Sequence, residues 1–310
     1  MIIAFSLVGL GLLLLVLGGE ALVRGAVTLA ARAGVSPLLV GLVIVGFGTS
    51  APELVASIEA ALAGAPGIAW GNIIGSNIAN SLLIMGAAVI ITPLVLSRAK
   101  ALRDPLIAFI AALAFAAVAL AGLGHWLVGL AGLLAIGGYI LAAYFKSKAD
   151  HVPVDVPIAG QAHWSIALLG LIAGLGLLIG GGKLLVMGAV DLAELAGMSQ
   201  TVIRLTVVAI GTSAPELATA LVAARHKQMQ VVFGNIIGSN IYNLLAIGGT
   251  TMLIAPAPMP TDLLLRDIPV MLAAMLLVLV VAFMNGRIGQ VFGFGLLASY
   301  AIYIAVLTIS

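Results

Sequence analysis

Long apolar stretches separated by short polar ones run the whole length of this 310-residue chain. The apolar stretches continue for about 15–25 residues without alternating polar and apolar positions, so each reads as a helix that is apolar all round. Ten can be marked, at about 2–23, 37–62, 68–93, 105–121, 126–144, 164–186, 199–224, 230–255, 267–284 and 289–308. A bilayer core about 30 Å thick takes roughly 20 apolar residues per helical span. The pattern therefore predicts an all-α membrane protein with ten transmembrane helices, since a closed barrel would need period-two alternation. The first stretch has no basic residue before it and Arg24 after it, the reverse of a cleavable signal, and is read as a true span. The polar, proline-containing stretch Lys146 to His163 is expected to be the one long loop.

The chain also repeats itself. GTSAPEL at 48–54 returns unchanged at 211–217, and GNIIGSNI at 71–78 returns unchanged at 234–241, both displaced by 163 positions. The same offset pairs Gly18 and Gly19 with Gly181 and Gly182, and Gly25-Ala26-Val27 with Gly188-Ala189-Val190. The division that follows is a first five-helix repeat at 1–147, a linker at 148–163 and a second repeat at 164–310. Five spans is an odd number, so the second copy should enter the membrane from the opposite side. Loop charges agree. Arg24 and Arg32 follow the first span, whereas the matching stretch of the second copy carries Asp191 and Glu194. Placing the N-terminus outside puts ten of the thirteen Lys and Arg on the cytoplasmic side, as the positive-inside rule requires. Both termini are then outside and the linker cytoplasmic, in a plasma or inner membrane.

Composition narrows the function. At 63% hydrophobic and 8% charged, with a mean hydropathy of +1.29, the chain has too little polar surface for a soluble domain, which carries about 25% charged residues. It has no cysteine, which excludes thiolate metal sites and thiol nucleophiles, and no GxxxxGK[ST] loop for a nucleotide. No cofactor, nucleic-acid partner or obligate protein partner is expected, and a monomer is the simplest state.

Two carboxylates stand out. Glu53 and Glu216 fall in the middle of apolar spans, where an ionisable side chain costs at least about 2.5 kcal/mol and implies function. Each follows a proline, Pro52 or Pro215, which removes a backbone donor and should free the carbonyl of Gly48 or Gly211. Irregular backbone at membrane depth is tolerated where it lines a cavity. Around the glutamates stand the oxygens of Thr49, Ser50, Thr212, Ser213, Ser76 and Ser239 and the amides of Asn80 and Asn243. All are hard donors, suited to calcium, which takes six to eight oxygens. The four histidines, His125, His151, His163 and His226, map near loops and are not available at that depth. Two negative charges match one Ca²⁺ or a set of Na⁺, so the ions should compete. Asn72, Asn77, Asn235 and Asn240 could ligate or could bond to broken helix ends. Glu59 is expected near an interface, Glu20 in a pair with Arg24, and Trp70, Trp126, Trp164 and Tyr144 as interface anchors.

GTSAPELV at 48–55, GNIIGSNIAN at 71–80, GTSAPELA at 211–218 and GNIIGSNIYN at 234–243 resemble the two alpha repeats of the sodium/calcium exchanger family in its short prokaryotic form. The resemblance implies a ten-helix antiporter in which spans two, three, seven and eight surround the ion sites and spans one and six slide past them. It implies that Glu53 and Glu216 are shared calcium and sodium carboxylates, with Thr49 and Thr212 adding carbonyl and hydroxyl oxygens. Ser50, Ser76, Ser213 and Ser239 resemble sodium ligands, and the carbonyls of Gly46 and Ala209 those completing outer sodium sites. Asn80 and Asn243 take the central positions, where some relatives have an aspartate; two amides argue against potassium co-transport. The transported ions would be Ca²⁺ and Na⁺, exchanged by alternating access. A proton/calcium exchanger would use the same glutamates, a cation channel would need an open path, and an intramembrane hydrolase lacks a catalytic pair at membrane depth.

Overall fold

The computed structural model describes residues 1–95, 102–149, 163–197, 209–283 and 287–309. They form helices α1 (Ile2–Ala33), α2 (Pro37–Thr49), α3 (Ala51–Leu62), α4 (Pro66–Ile91), α5 (Arg103–Leu120), α6 (Trp126–Ala149), α7 (Trp164–Leu195), α8 (Ala209–Thr212), α9 (Ala214–Arg225), α10 (Met229–Ile254), α11 (Leu263–Phe283) and α12 (Gln290–Ile309). Among the described residues eight helices are long and apolar enough to cross a membrane, and the α2–α3 pair, bent by 41°, would make a ninth. Residues 198–208, the first part of the expected span at 199–224, lie outside the described residues, and so does the linker from 150 to 162.

Several boundaries differ from the hydropathy reading. The first and sixth spans continue to Ala33 and Leu195, each about 48 Å long at 1.5 Å per residue. Arg24, Arg32, Asp191 and Glu194 therefore sit on helices and not in loops, because charged residues are tolerated in a helix once it leaves the apolar layer. The helix before the linker reaches Ala149, so the linker expected from 148 starts later. The structure also has a pair of antiparallel two-residue strands, Leu94–Val95 with Arg287–Ile288, where the sequence predicted none.

Glycine stripes decide which helices touch. In α1, Gly11, Gly18 and Gly25 recur every seven residues, as do Gly174, Gly181 and Gly188 in α7. An added methyl at any of the six would come within 2.5–2.9 Å of the facing backbone. The two long helices thus pack main chain against main chain, the arrangement small residues permit in lipid. A second close approach joins α2 to α10. Gly41 lies against Val231 O, Gly234 against Leu38 O and Gly238 against Leu42 O.

The helices carrying GNIIGSN are the most enclosed, with 78% of the apolar window of α4 and 89% of that of α10 buried, against 17% for α12. Trp70, expected at an interface, is buried there edge-on against Phe115 at 5.8 Å, while Trp126, Trp164 and Tyr144 are exposed as anchors would be. Its position one residue before the Gly-Asn motif places it inside the bundle, a tertiary fact that hydropathy does not encode. The outer helices are stapled in equivalent ways in the two repeats. Tyr139 donates to buried Asp104 at 3.1 Å, linking α6 to α5, and Tyr303 donates to buried Asp267 at 3.0 Å, linking α12 to α11. Each aspartate follows an arginine, Arg103 or Arg266, at positions related by the same offset of 163.

Candidate ion-binding site

Proline shapes the site from below. Pro52 and Pro215 stand at the second residue of α3 and α9, where the missing N–H is least costly. The residue two before each, Ser50 or Ser213, leaves helical geometry at φ −81°, ψ 3° and φ −86°, ψ 7°. The Gly48 carbonyl that the sequence reading left free takes the N–H of Ser50 instead, which also bonds Gly46 O. The break is thus partly closed locally, and it ends each helix start at the glutamate. Glu53 and Glu216 both fall in the first turn, where the positive end of the helix dipole favours a carboxylate. Wide, π-type turns mark the facing helices at matching positions, Asn80–Ile84 in α4 and Tyr242–Ile247 in α10, with a further one at Gly41–Val45 in α2. Such turns interrupt the backbone ladder and favour functional sites.

The polar side chains meet across the repeats. Ser50 Oγ donates to Glu216 Oε1 at 3.3 Å, and Ser213 Oγ donates to Glu53 Oε1 at 3.4 Å, so the two glutamates are held by reciprocal bonds. Thr49 Oγ1 donates to Asn235 Oδ1 at 3.2 Å and to Val45 O at 3.0 Å. Ser239 Oγ donates to Gly46 O at 3.4 Å, which joins two predicted site residues from different repeats. Asn80 Nδ2 donates to Asn240 Oδ1, whose own amide donates to Ser81 Oγ, both at 3.1 Å. Glu53, Glu216, Thr49, Ser50, Ser76, Ser213, Ser239, Asn80 and Asn243 are all buried, and Thr212 is half-buried. Ala209 opens the short helix α8, which leads into the GTSAPEL motif of the second repeat.

Six buried side-chain oxygens have no hydrogen-bond partner among the described residues, and two of them, Asn77 Oδ1 and Thr251 Oγ1, have no unpartnered counterpart in the other repeat. The remaining four are Glu53 Oε2, Glu216 Oε2, Asn80 Oδ1 and Asn243 Oδ1. They are the same two atoms from each repeat. A buried unpaired polar group costs about 1–3 kcal/mol, more when charged, so four related acceptors of this kind point to a cation. The donors are oxygens only. Among the described residues no cluster of three His, Cys, Asp or Glu exists, so a transition-metal centre is not what these residues fit.

The ambiguous asparagines divide. Asn72 donates to Glu53 O at 3.1 Å and Ser57 Oγ at 3.0 Å, and Asn77 to Ile73 O at 2.7 Å, so both brace backbone or helix contacts. Asn235 and Asn240 orient Thr49 and Asn80. Ser81 and Tyr242, whose hydroxyl donates to Val43 O at 3.3 Å, also support the site and were not singled out by sequence. Neither recurs in the other repeat, where Leu244 and Ala79 stand, so the repeat gave no signal for them.

A multi-pass helical membrane protein with a buried, oxygen-lined, carboxylate-centred site built by two related halves is the architecture of a cation transporter. The sequence profile of the family described as sodium/calcium exchanger protein matches residues 3–148 and 166–309, and the chain belongs to that family of antiporters. A putative antiporter, CaxA, of Alkalimonas amylolytica is 36% identical over 301 residues, covering 94% of this chain and 93% of its own. The sodium/calcium exchanger MaX1 of Methanosarcina acetivorans is 32% identical, with 98% of each chain covered. The solved structure of the sodium-calcium exchanger NCX_Mj soaked with 2.5 mM Na⁺ and 0.1 mM Ca²⁺ superposes with a TM-score of 0.87 at 31% identity, covering 98% of each chain.

Proposed function

We propose that the protein exchanges Na⁺ for Ca²⁺ by alternating access, with both ions competing for one site centred on Glu53 and Glu216. The observation that carries this reading is that four of the six unpartnered buried oxygens, two carboxylate and two amide, are the same atoms from each repeat. Thr49, Thr212, Ser50, Ser213, Ser76 and Ser239 and the carbonyls of Gly46 and Ala209 complete the shells around them. The two charges of the glutamates are neutralised by one Ca²⁺ or by two Na⁺, so occupancy by one ion excludes the other. Further Na⁺ would be held by the serine and threonine oxygens, and more sodium than calcium charge would move per cycle. Asn80 and Asn243 are uncharged, which removes the extra carboxylate that potassium co-transport would call for.

The fold in this reading has ten spans, α2 with α3 forming the second and the stretch ending in α8 and α9 the seventh. The two five-helix repeats, 1–147 and 164–310, are inverted about the membrane plane, with a cytoplasmic linker, external termini and a monomer in the plasma or inner membrane. The Lys and Arg distribution supports that orientation. The named exchanger relatives support sodium as the coupling ion, as do the serine hydroxyls tied to both glutamates. Proteoliposomes loaded with sodium and diluted into sodium-free buffer containing labelled calcium should take calcium up. Uptake that persists without a sodium gradient, or in Glu53→Gln, refutes the proposal. Uptake driven by a pH jump alone reassigns the coupling ion to H⁺.

A further inference from the structure

The repeats match at the glutamates and their serines but not at the two ends of the core. Helix α1 lies along α9, and an added methyl at Gly19 would sit 3.1 Å from Val222 Cγ2 and 3.4 Å from Ala218 O. Gly182, the equivalent of Gly19, does not face α3 in the same way: the nearest atoms to an added methyl there are on Pro215, at 3.5 Å, and Gly211 O, at 3.8 Å. Val222 and Ala224 are buried, while Glu59, the equivalent of Val222, is exposed, and Val55, the equivalent of Ala218, is 54% exposed. The core is thus covered at the end where α9 finishes and uncovered at the end where α3 finishes.

At the covered end stands an interaction that the other end cannot form. His226 Nε2, at the last turn of α9, lies 2.7 Å from Glu20 Oε2 on α1, and the second oxygen of Glu20 accepts from Arg24. The positions equivalent to Glu20 and His226 are Lys183 and Ala63, which carry no such pair. The chain bears a local cost there. Lys227 adopts a left-handed conformation, φ 59°, at the position where the first repeat has Gly64 at φ 73°. A side chain in that conformation costs roughly 1–2 kcal/mol, which glycine avoids. Where α3 ends in Ala-Gly, α9 ends in His-Lys, at a conformational cost and at the place where His226 meets α1.

We infer that Glu20 and His226 form a one-sided latch, which fastens the α1–α7 pair to the core and biases the conformational equilibrium toward the state closed at the α9 end. Two observations make the pair a separate body. Its glycine stripe holds α1 and α7 main chain to main chain, where an added methyl would come within 2.5–2.9 Å of the facing backbone, whereas toward α9 an added methyl at Gly19 or Gly182 would find its nearest atoms farther off, at 3.1 Å and 3.5 Å, on the side chains of Val222 and Pro215. The inference rests on the alternating-access reading; on the proposed orientation the latched end is cytoplasmic, and the bias favours sites open to the outside. Glu20 and His226 act through position and touch no ion.

The chain has no cysteine, so single reporters are clean. Cys introduced as Ala218→Cys, under α1, and as Val55→Cys, at the equivalent open position, can be labelled in nanodiscs with a charged methanethiosulfonate. Glu20→Ala and His226→Ala should each raise labelling at 218 and lower it at 55, by about two- to tenfold for loss of one partly exposed hydrogen bond. Their combination should add nothing to either alone. Unchanged rates, equal rises at both positions, or additive effects overturn the latch. Sodium-driven calcium uptake by the same proteins tests the transport reading separately. If the wild type shows none, antiport fails whatever the labelling says; if uptake is present but labelling does not shift, only the latch fails.

Discussion

Replacing Glu53 by glutamine is the sharpest perturbation of the site. The amide keeps the volume of the side chain and an oxygen that can accept from Ser213 Oγ, now 3.4 Å from Glu53 Oε1. It removes one of two buried charges and puts an N–H₂ where an unpartnered oxygen stands. Losing one partner of a buried charge interaction costs about 2–5 kcal/mol. At 1.36 kcal/mol per factor of ten, calcium affinity should fall roughly 30- to 5,000-fold. Attraction scales with ion charge, so a single Na⁺ should lose about half as much energy, and the preference for calcium over sodium should shrink. Glu216→Gln should behave alike, because Ser50 holds Glu216 as Ser213 holds Glu53. Equilibrium binding of labelled calcium to purified protein, repeated at rising sodium, measures both quantities. A loss under about threefold in either variant, or an unchanged response to sodium, would refute a shared two-glutamate site.

Four further outcomes follow from particular contacts. Calcium at 100 times its dissociation constant should stabilise the wild type by about 2.7 kcal/mol, seen as a rise in Tm, and should leave the Glu53→Gln/Glu216→Gln double variant unmoved. Gly181→Val should lower Tm or block folding, because its added carbons meet Gly11 O at 2.9 Å and overpacking costs about 1–3 kcal/mol. Tyr303→Phe should cost about 1 kcal/mol of stability by leaving buried Asp267 one bond short, with calcium affinity unchanged in the binding assay. Lys227→Gly should stabilise by about 1 kcal/mol in a thermal melt by relieving the left-handed backbone.

The apolar pattern revealed the helices and the repeat revealed the site, each for a physical reason. Twenty apolar residues in a row admit little besides a span, and a glutamate in the middle of one demands an explanation. What hydropathy hid were features set by neighbours. The spans at α1 and α7 run on past their apolar windows, since an amphiphilic helix end needs no loop. Trp70 was read as an anchor by residue type, yet packing on Phe115 decides its place. The motif glycines Gly234 and Gly238 are close-packing devices against α2, while the serine and the asparagine that follow them face the other repeat. The wide turns at Asn80 and Tyr242 were not legible, because their mixture of Asn with Leu, Ile and Ala carries no glycine or proline to mark a departure from α-helix.

An exact internal repeat sets a limit on where directionality can reside. GTSAPEL and GNIIGSNI are identical in the two halves, and the glutamates and their serines bond reciprocally, so the two carboxylates offer an ion the same partners from either side, with Ser81 and Tyr242 the unmatched residues beside them. A difference between the two faces must then come from residues that the duplication did not keep. Positions that diverge where the α1–α7 pair meets the core include Glu20 against Lys183, Val222 against Glu59, and His226-Lys227 against Ala63-Gly64. All lie where α1 meets α9 or at the equivalent place on α3 and α7. Thr92, which donates to Ala224 O at 2.7 Å at the same end, is likewise matched by an alanine, Ala255. Affinity in this protein therefore belongs to the symmetric centre and the balance between its two open states to the asymmetric ends, so variants of the two groups should separate in binding and accessibility assays.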